Sequence, residues 1–232
     1  MTYCAKYKHD ELTREAKINR IRKLLYKSPE HIKQKFQWDD EAMWSLTHQH
    51  IADNICSKLM ELDEITCNSF LTDATASVGG NTISFAKYFK HVNAIELNPI
   101  RKSMLDYNIN LYRLNNVTTY RGDCTQLLRD VQQDVIFFDP PWGIDYKKFQ
   151  KNTMRINFAN STVEDIICSF HQNAKYCVVK LPHNYDFTYF ENFILGVGSI
   201  VCTMNFNKPN SFTIKVIKYY GINKTISITS VD

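Results

Sequence analysis

Short apolar segments alternate with helical patterns from Ser69 to Tyr220, and this alternation constrains the fold more than any other feature of the sequence. β-Branched and aromatic residues mark the strands, and apolar residues spaced three or four apart mark the helices. The predicted strands are Phe70–Asp73, His91–Glu96, Val117–Arg121, Asp134–Phe138 and Tyr176–Leu181, followed by a hairpin of Ile200–Asn207 and Thr213–Tyr220. The predicted helices are Asn81–Phe89, Pro99–Tyr112, Gln126–Val131, Val163–Asn173 and Phe187–Phe193. This order predicts an α/β fold, in which a mostly parallel seven-stranded sheet carries helices on both faces.

Acidic residues stand at the ends of four consecutive predicted strands, at Asp73, Glu96, Asp123 and Asp139. Any one of them is explained equally well by a turn or a helix cap. In open α/β sheets, however, ligands bind at the carboxyl ends of the strands. Four such residues in order therefore indicate a ligand site along this edge of the sheet.

The loop of residues 74–80 follows the first predicted strand and contains only small residues besides Val78. Small residues and glycines let a ligand approach the backbone closely. The loop lacks the G-x-G-x-x-G spacing of a dinucleotide site and the G-K-[ST] of a P-loop, which disfavours NAD and ATP. Asp73 beside it suits a ligand with an ammonium group, and Glu96 has the place of a ribose-hydroxyl acceptor.

The segment before the alternating region is predicted to be helical over Asp10–Tyr26, Pro29–Phe36 and Thr47–Leu62, with a loop over Phe36–Trp44. Residues 1–40 contain ten basic and six acidic residues, and the remaining chain carries equal numbers, so this segment accounts for the whole net charge of +4. Such a charge suits a nucleic-acid partner, although a solvated helix face explains it as well.

Composition excludes several other classes of protein. Hydrophobic residues make up 44% and aromatic residues 13% of the 232 residues, which is enough for a real core and excludes a disordered or fibrous chain. We expect no membrane span, because no apolar run approaches the roughly 18–20 residues that one needs. The polar residues 1–10 argue against a secretory signal peptide. The seven cysteines are scattered without metal-ligand spacing, so we expect no metal site and free thiols in a reducing compartment, the cytoplasm or nucleus.

The order of these features resembles the class I S-adenosylmethionine-dependent methyltransferases, which have a Rossmann-like fold. The resemblance implies that Asp73 and its loop hold the methionine part of the cofactor. It further implies that Glu96 accepts the ribose hydroxyls and that Asp123 lies at the adenine amine. Thr75, Gly79 and Cys124 are implied as further cofactor contacts.

The sequence Asp139-Pro140-Pro141-Trp142 resembles the D-P-P-[WY] motif of methyltransferases that act on exocyclic amines of nucleobases. Such an amine is a poor nucleophile, because its lone pair is spread into the ring. Acceptors at Asp139 and the Pro140 carbonyl would turn the lone pair toward the methyl group, and Trp142 would stack on the base. We therefore expect these four residues to be catalytic.

The chain is similar in particular to the trimethylguanosine synthases, which methylate the exocyclic amine of a 7-methylguanosine RNA cap. The matching segments cover about residues 35–221 and are Trp44–Thr47, Gly79–Ala86, Pro140–Gly143 with Tyr146, Leu181–Asn184, Asn205–Phe206 and Tyr219–Gly221. The chain departs from the family pattern at Thr75 and Ser77 in the cofactor loop, and at His48, Ile144 and His183.

This closer resemblance implies that Ser45 and Thr47 contact the cofactor and that Asn184 lies near the cap. Basic residues of the arm, with Lys147, Lys148 and Lys180, are expected to meet the cap triphosphate. We expect residues 1–62 to form a helical extension that completes the cofactor and cap site, and residues 63–232 to form the methyltransferase domain of a monomer.

Three functions remain open from the sequence. The first is methylation of the guanine N2 amine of a capped RNA, with one or two methyl groups transferred. The second is methylation of an internal adenine or guanine amine of rRNA, tRNA or DNA. The third is a module that binds a cap or RNA without catalysis, against which the complete motif of Asp139 to Trp142 argues.

Overall fold

A computed structural model describes residues 12–143, 153–158, 160–207 and 211–221. The chain forms two compact units, residues 1–132 and residues 133–232. The strands form a seven-stranded sheet, which confirms the predicted fold class. The strand order is Val117–Arg121, His91–Glu96, Phe70–Asp73, Val135–Phe138, Tyr176–Pro182, Phe212–Tyr219 and Gly198–Phe206. The predicted division between residues 1–62 and 63–232 separates an extension from a catalytic domain by their functional roles, not by their packing. It stays a prediction.

The first unit contains seven helices and three strands within its described residues. They are α1 (Arg14–Leu24), α2 (Glu30–Lys35), α3 (Asp40–Ser45), α4 (Gln49–Leu59), β1 (Phe70–Asp73), α5 (Gly80–Phe85), β2 (His91–Glu96), α6 (Pro99–Leu111), β3 (Val117–Arg121) and α7 (Cys124–Leu127). The three strands pair in parallel, β1 with β2 and β2 with β3. Their carboxyl ends, where Asp73 and Glu96 stand, therefore point the same way.

The second unit contains the described strands β4 to β9 and two helices. They are β4 (Val135–Phe138), β5 (Asn157–Phe158), β6 (Ser161–Thr162), α8 (Val163–Ser169), β7 (Tyr176–Pro182), α9 (Phe187–Ile194), β8 (Gly198–Phe206) and β9 (Phe212–Tyr219). β4 pairs with β7 in parallel, and β9 pairs antiparallel with both β7 and β8. Both β4 and β7 are buried along their whole length, as expected for apolar strands inside a sheet.

The loop predicted over Phe36–Trp44 is wrong in its second half, where the structure has α3. Asp39 caps this helix, since its Oδ1 accepts a hydrogen bond of 2.7 Å from the Ala42 amide. Met43 then points inward and is fully buried. The Asp39-Asp40-Glu41 sequence is thus the acidic start of a helix rather than the polar loop that its charge suggested.

Several other elements differ from their predicted bounds, and one hairpin was not predicted. α5 ends at Phe85 rather than Phe89, and α7 begins at Cys124 because Asp123 caps it. α8 ends at Ser169, four residues before the predicted end. The two-residue strands β5 and β6 form a small hairpin that is too short to show a periodic pattern.

The N-terminal helices share one hydrophobic core with the parallel strands of the first unit. Its members from the N-terminal segment are Ile21, Leu24, Leu25, Phe36, Ala42, Met43 and Leu46, and they meet Ala76, Val78, Ile83, Ala94, Leu105 and Ile109. Ala76 and Val78 belong to the loop after β1. The segment expected to complete the cofactor site therefore packs directly under the cofactor loop.

Candidate active site

Asp73 fastens the loop that follows β1. Its side chain is fully buried, and its Oδ2 accepts a hydrogen bond of 2.6 Å from the Thr82 hydroxyl in α5. A buried carboxylate needs such partners, because leaving water is costly for a charge. Asp73 thus joins the two ends of the loop expected to hold the cofactor.

The glycines of this loop are required by close packing. Gly79 has a left-handed backbone (φ +97°), and a Cβ there would lie 2.9 Å from Leu105 Cδ1. A Cβ on Gly80 would overlap the Leu46 side chain. Ser77 also has a positive φ, of 50°. The loop is therefore held in a tight, unusual conformation between α6 and the end of α3.

Glu96 joins the end of β2 to the same loop. Its Oε2 accepts from the Ser77 amide at 2.8 Å, and its Oε1 accepts from the Asn98 amide at 2.7 Å. Burial raises the pKa of Glu96, while the two amides and Arg101 offset part of the rise. Each carboxylate oxygen can accept two hydrogen bonds, so Glu96 keeps capacity for ribose hydroxyls.

Arg101 connects Glu96 to α3, and sequence reasoning did not find it. Its guanidinium lies 2.6 Å from Glu41 Oε2, 3.7 Å from Asp39 Oδ2 and 3.7 Å from Glu96 Oε1. Nothing in the local sequence indicates this cluster, because its carboxylates come from two distant segments. The ion pairs tie the N-terminal segment to the expected ribose acceptor.

Asp123 and Cys124 stand where β3 gives way to α7. Asp123 Oδ1 accepts from the Thr125 amide at 2.9 Å and from its hydroxyl at 2.7 Å, so this carboxylate is a helix cap. The helix-cap explanation therefore applies to Asp123, and the cap leaves further acceptor capacity for an adenine amine. Burial raises the pKa of Cys124 to about 12, which keeps it a neutral thiol.

Ser45 and Thr47 lie at the end of α3 and just after it. The Ser45 hydroxyl donates to the Glu41 carbonyl at 3.1 Å, in the manner of a helix-bound serine. Thr47 is buried. Both residues belong to the same compact unit as Asp73 and Glu96, and their cofactor contacts stay predictions.

Asp139 follows β4 in the second unit and forms an ion pair with Lys180 of β7. Lys180 Nζ lies 2.7 Å from Asp139 Oδ2, and both side chains are largely buried. Burial raises the pKa of Asp139, and the Lys180 ammonium offsets part of that rise. The Lys180 ammonium is thus paired with a buried carboxylate, and its expected contact with a cap triphosphate stays a prediction.

Trp142 is half-buried and contacts the same lysine. Its indole Nε1 donates to the Lys180 carbonyl at 3.3 Å, and Lys180 Nζ lies 5.5 Å from the centre of its ring. The Phe212 ring centre is 6.4 Å away, and Phe212 stacks on Phe206 at 4.8 Å. Pro140 is buried and Pro141 is exposed between Asp139 and the tryptophan. The motif thus presents a carboxylate and an aromatic surface, as its chemistry requires.

The other expected substrate contacts are supported less directly. Asn184 is half-buried just after β7, and its carbonyl accepts from the Met154 amide at 3.0 Å. Lys147, Lys148 and Tyr146 lie outside the described residues.

Several basic residues of the arm are paired with acidic residues of the same unit. The pairs are Lys17 with Asp40 (2.7 Å), Arg22 with Glu30 (3.2 Å) and Lys27 with Asp53 (2.8 Å). Such pairs reduce the charge that the arm offers to phosphates. These ion pairs therefore favour the explanation that the three basic residues form a solvated helix face.

Neither a metal centre nor a membrane-spanning helix is found in the described part of the chain. No cluster of three or more His, Cys, Asp or Glu side chains there has the arrangement of a metal site. No helix there combines the length and the hydropathy needed to cross a bilayer.

Two solved structures with a similar fold carry the name of a methyltransferase. One is precorrin-6y C5,15-methyltransferase of Geobacter metallireducens, with a TM-score of 0.55, 16% identity and coverage of 81% of this chain and 95% of the other. Another is a putative RNA methyltransferase of Pyrococcus horikoshii, with a TM-score of 0.57, 12% identity and coverage of 80% and 94%. The strand order and these likenesses define the fold of a class I methyltransferase.

A family model described as RNA cap guanine-N2 methyltransferase matches residues 68–226. Because it covers more than half of the chain, the chain belongs to this family of RNA methyltransferases. The family implies S-adenosylmethionine as the methyl donor, and the carboxylates and the tight loop of the first unit suit it.

Relatives among characterised and uncharacterised proteins agree with this family. An uncharacterised protein of Acanthamoeba polyphaga mimivirus is 37% identical over 213 residues, 80% of each chain. The trimethylguanosine synthase of Schizosaccharomyces pombe is 29% identical over 160 residues, 64% of each chain. An uncharacterised RNA methyltransferase of Protochlamydia amoebophila is 32% identical over 146 residues, 53% of this chain and 32% of the other.

Proposed function

We propose that this protein methylates the exocyclic N2 amine of the guanine in a 7-methylguanosine RNA cap. The observation that carries the proposal is the Asp139–Trp142 motif, whose carboxylate and indole both bond to Lys180. The family match and the similarity to a trimethylguanosine synthase support the choice of the cap guanine over other bases.

The first unit would bind S-adenosylmethionine, which supplies an electrophilic methyl group. The loop fastened by Asp73 would hold the methionine part, Glu96 would accept from the ribose hydroxyls, and Asp123 would accept from the adenine amine. Thr75, Gly79 and Cys124 would line this site, with Ser45 and Thr47 contributing from the N-terminal segment. In the described structure, Glu96 already bonds the loop backbone at Ser77, so ribose binding and loop geometry are linked.

The second unit would bind the base. Trp142 would stack on the guanine, and Asp139 with the Pro140 carbonyl would accept hydrogen bonds from the amine hydrogens. Bound S-adenosylmethionine would supply the methyl group to the amine, and Asp139 would accept the proton that the methylated amine loses. Asn184, Lys147 and Lys148 stay proposed cap contacts.

A second candidate is methylation of an internal adenine or guanine amine, and the charge of the base pocket favours it. A 7-methylguanine is cationic and stacks best on an aromatic ring that carries no other cation. Here Lys180 neutralises Asp139 and lies 5.5 Å from the centre of the Trp142 ring. An uncharged adenine or guanine is therefore an alternative to 7-methylguanine as the base that stacks on Trp142.

We further propose that the protein works as a monomer in a reducing compartment, the nucleus or cytoplasm. The six described cysteines are free thiols, of which Cys56, Cys124 and Cys177 are buried, in keeping with that setting.

The test is methyl transfer from labelled S-adenosylmethionine to three short RNAs of one sequence. One RNA carries a 7-methylguanosine cap, one an unmethylated guanosine cap and one no cap. We expect label on the methylated cap alone. Label on all three RNAs would instead support an internal base, and label on none would contradict the cap proposal.

Two variants test the motif in the same assay. Asp139→Ala should lower the rate at least about 100-fold, as loss of a group that stabilises the transition state does. Asp134→Ala is its matched control, because Asp134 stands at the other end of β4 and also pairs with a lysine, Lys175, at 3.0 Å. Equal loss in both variants would contradict a catalytic role for Asp139.

A further inference from the structure

Lysine–aspartate pairs stand at both ends of the β4–β7 ladder. Asp134 pairs with Lys175 just before the two strands, and Asp139 pairs with Lys180 at their carboxyl ends. The first pair is exposed to solvent, with 53% of the lysine side chain accessible, whereas only 7% of the Lys180 side chain is accessible. The pair between Asp134 and Lys175 therefore costs little desolvation free energy, whereas the pair between Asp139 and Lys180 requires the burial of an ammonium group.

Lys180 contacts both functional groups of the motif. Its ammonium holds the Asp139 carboxylate, and its backbone carbonyl accepts from the Trp142 indole. Its Nζ also lies 5.0 Å from the Phe212 ring centre, next to the aromatic surface that Trp142 extends. One residue thus fixes the acceptor and the stacking surface relative to the same strand, β7.

We propose that Lys180 is a positioning residue for methyl transfer, which holds Asp139 as an ionised acceptor and fixes the Trp142 indole. The inference rests on the proposed function, in which Asp139 accepts from the amine of the base. It offers an alternative to the expectation that Lys180 binds the phosphates of the RNA.

Charge explains why a buried lysine is needed at this point. Desolvation favours the neutral form of a buried carboxyl group, so without a cation Asp139 would take up a proton. A protonated Asp139 would offer a donor hydrogen to the amine and could not take up the proton that the methylated amine loses. Lys180 of β7 pairs with Asp139 among the described residues, whereas Lys215 of β9 is paired with Glu191 of α9 at 2.6 Å.

The first experiment is the pH dependence of kcat and KM on whichever RNA the wild type methylates. We expect Lys180→Met to lower kcat about 100-fold at pH 7, since small misplacement of reacting groups has effects of this size. Its activity should recover toward pH 9, because Asp139 then ionises without the lysine. Lys180→Arg should keep the wild-type profile, and the KM for S-adenosylmethionine should stay within about twofold in both variants.

Two lysines provide matched controls for that profile. Lys175→Met removes the corresponding exposed pair, and Lys215→Met removes another largely buried lysine of the same unit, whose partner Glu191 is exposed. Both should keep the wild-type shape of the pH profile, even where Lys215→Met lowers the melting temperature. A Lys180→Met profile parallel to the wild type, or a shift shared by Lys215→Met, would overturn the proposal.

A second experiment tests the ion pair between Lys180 and Asp139 by protein stability, so it needs no measurement of methyl transfer. Thermal unfolding is compared for Lys180→Met, Asp139→Asn and the double variant at pH 8 and pH 5. We expect Lys180→Met to lower Tm by about 10 °C at pH 8, because it leaves the buried Asp139 carboxylate without a counter-ion. The decrease should be smaller at pH 5, where Asp139 is protonated. The double variant should be more stable than Lys180→Met at pH 8, since it removes the stranded carboxylate.

The two experiments separate the inference from the function on which it rests. If the wild type methylates none of the RNAs, the proposed function fails, while the unfolding cycle still decides whether Lys180 holds Asp139 ionised. If the wild type is active but the losses in Tm are simply additive and independent of pH, the role of Lys180 is refuted and the function stands.

Discussion

At the residue scale, Glu96 serves the loop backbone and the expected ligand at the same time. Its two oxygens accept from the Ser77 and Asn98 amides, and ribose hydroxyls would use the remaining lone pairs. Only the ionised form accepts from all of these donors. Because burial raises the pKa of Glu96, that form is lost at a higher pH than for an exposed glutamate.

Affinity for S-adenosylhomocysteine should therefore fall on acidification, starting above the ordinary glutamate pKa of 4.5. Titration calorimetry at several pH values from 8 down to 5 measures this. Glu96→Gln should bind about 10-fold or more weakly at pH 8 and lose this pH dependence, since it removes a charged acceptor. The same pH dependence in Glu96→Gln would assign the titration to another group.

The raised pKa of Glu96 has the opposite effect on stability. A group with a raised pKa in the folded state favours folding when protonated, and this contribution is lost as the pH rises through that pKa. Ionised Glu96 therefore costs stability at neutral pH in the unliganded protein. Ligand binding is expected to recover this cost, because it adds donors to the charged form.

Gly79 is the second residue whose role can be tested alone. Gly79→Ala places a side chain at φ +97° and brings it to 2.9 Å from Leu105 Cδ1. We expect it to lower the free energy of unfolding by about 1–3 kcal/mol in urea. Gly196→Ala is the control, because its Cβ would meet only an ordinary contact of 3.7 Å, and it should change stability by less than about 0.5 kcal/mol. Equal effects would mean that the left-handed turn at Gly79 carries no strain.

At the scale of elements, the sequence predicted strands better than the helices around them. β1, β2 and β3 were predicted at their observed bounds. β1 and β2 are mostly buried, as strands inside a parallel sheet are, whereas β3 is partly exposed and is marked by its β-branched residues and by the Gly122-Asp123 that follows it. α3 was missed, because its six residues are too few to show a periodic pattern and its start is acidic. The Asp39 cap was the available signal, since an aspartate four residues before a buried Met43 is typical of a helix start.

In the candidate site, too, the sequence predicted local motifs but not the contacts between residues that are far apart in the chain. The acidic strand ends and the Asp139–Trp142 motif are local patterns, so the sequence alone identifies them. Lys180 was recognised as basic, but its partner comes from another strand 41 residues away, and its contact could not be predicted. The Arg101 cluster was missed for the same reason, since Glu41 lies 60 positions earlier in the chain.

The cap of α3 gives a prediction for this element. Asp39→Ala should lower the free energy of unfolding by about 1 kcal/mol, because it removes the bond to the Ala42 amide. Asp40→Ala, one residue further, removes only an exposed pair with Lys17 and should cost less than about 0.5 kcal/mol. Denaturation of both variants in urea compares them, and the reverse order would contradict the cap.

At the scale of the whole molecule, the N-terminal helices and the cofactor loop depend on one core. Met43 and Leu46 meet Ala76, Val78 and Ile83 there, and Asn108 bonds to the backbone of both Gln37 and Val78. A ligand that orders the loop should therefore also stabilise the N-terminal helices.

Hydrogen exchange measures this coupling directly. S-adenosylhomocysteine should slow amide exchange in α1 and α3 as well as in residues 74–80, although we expect no ligand contact at α1. The edge strand β8, which belongs to the second unit, should be unaffected and serves as the internal control. Protection confined to residues 74–80 would show that the shared core does not transmit the effect of the ligand.

The bonds between Gln37 and Asn108 and between Ser28 and Tyr112 join positions that are 71 and 84 residues apart. On the ribosome, the N-terminal helices emerge before α6, and synthesis of the 71 to 84 residues between the bonded positions takes roughly 4–17 s at ordinary rates. During that time Ile21, Leu24 and Leu25 lack Leu105 and Ile109, the members of their core that α6 supplies. The N-terminal helices thus reach their final packing only after α6 has been made, and nascent chains of this protein should depend on chaperones until then.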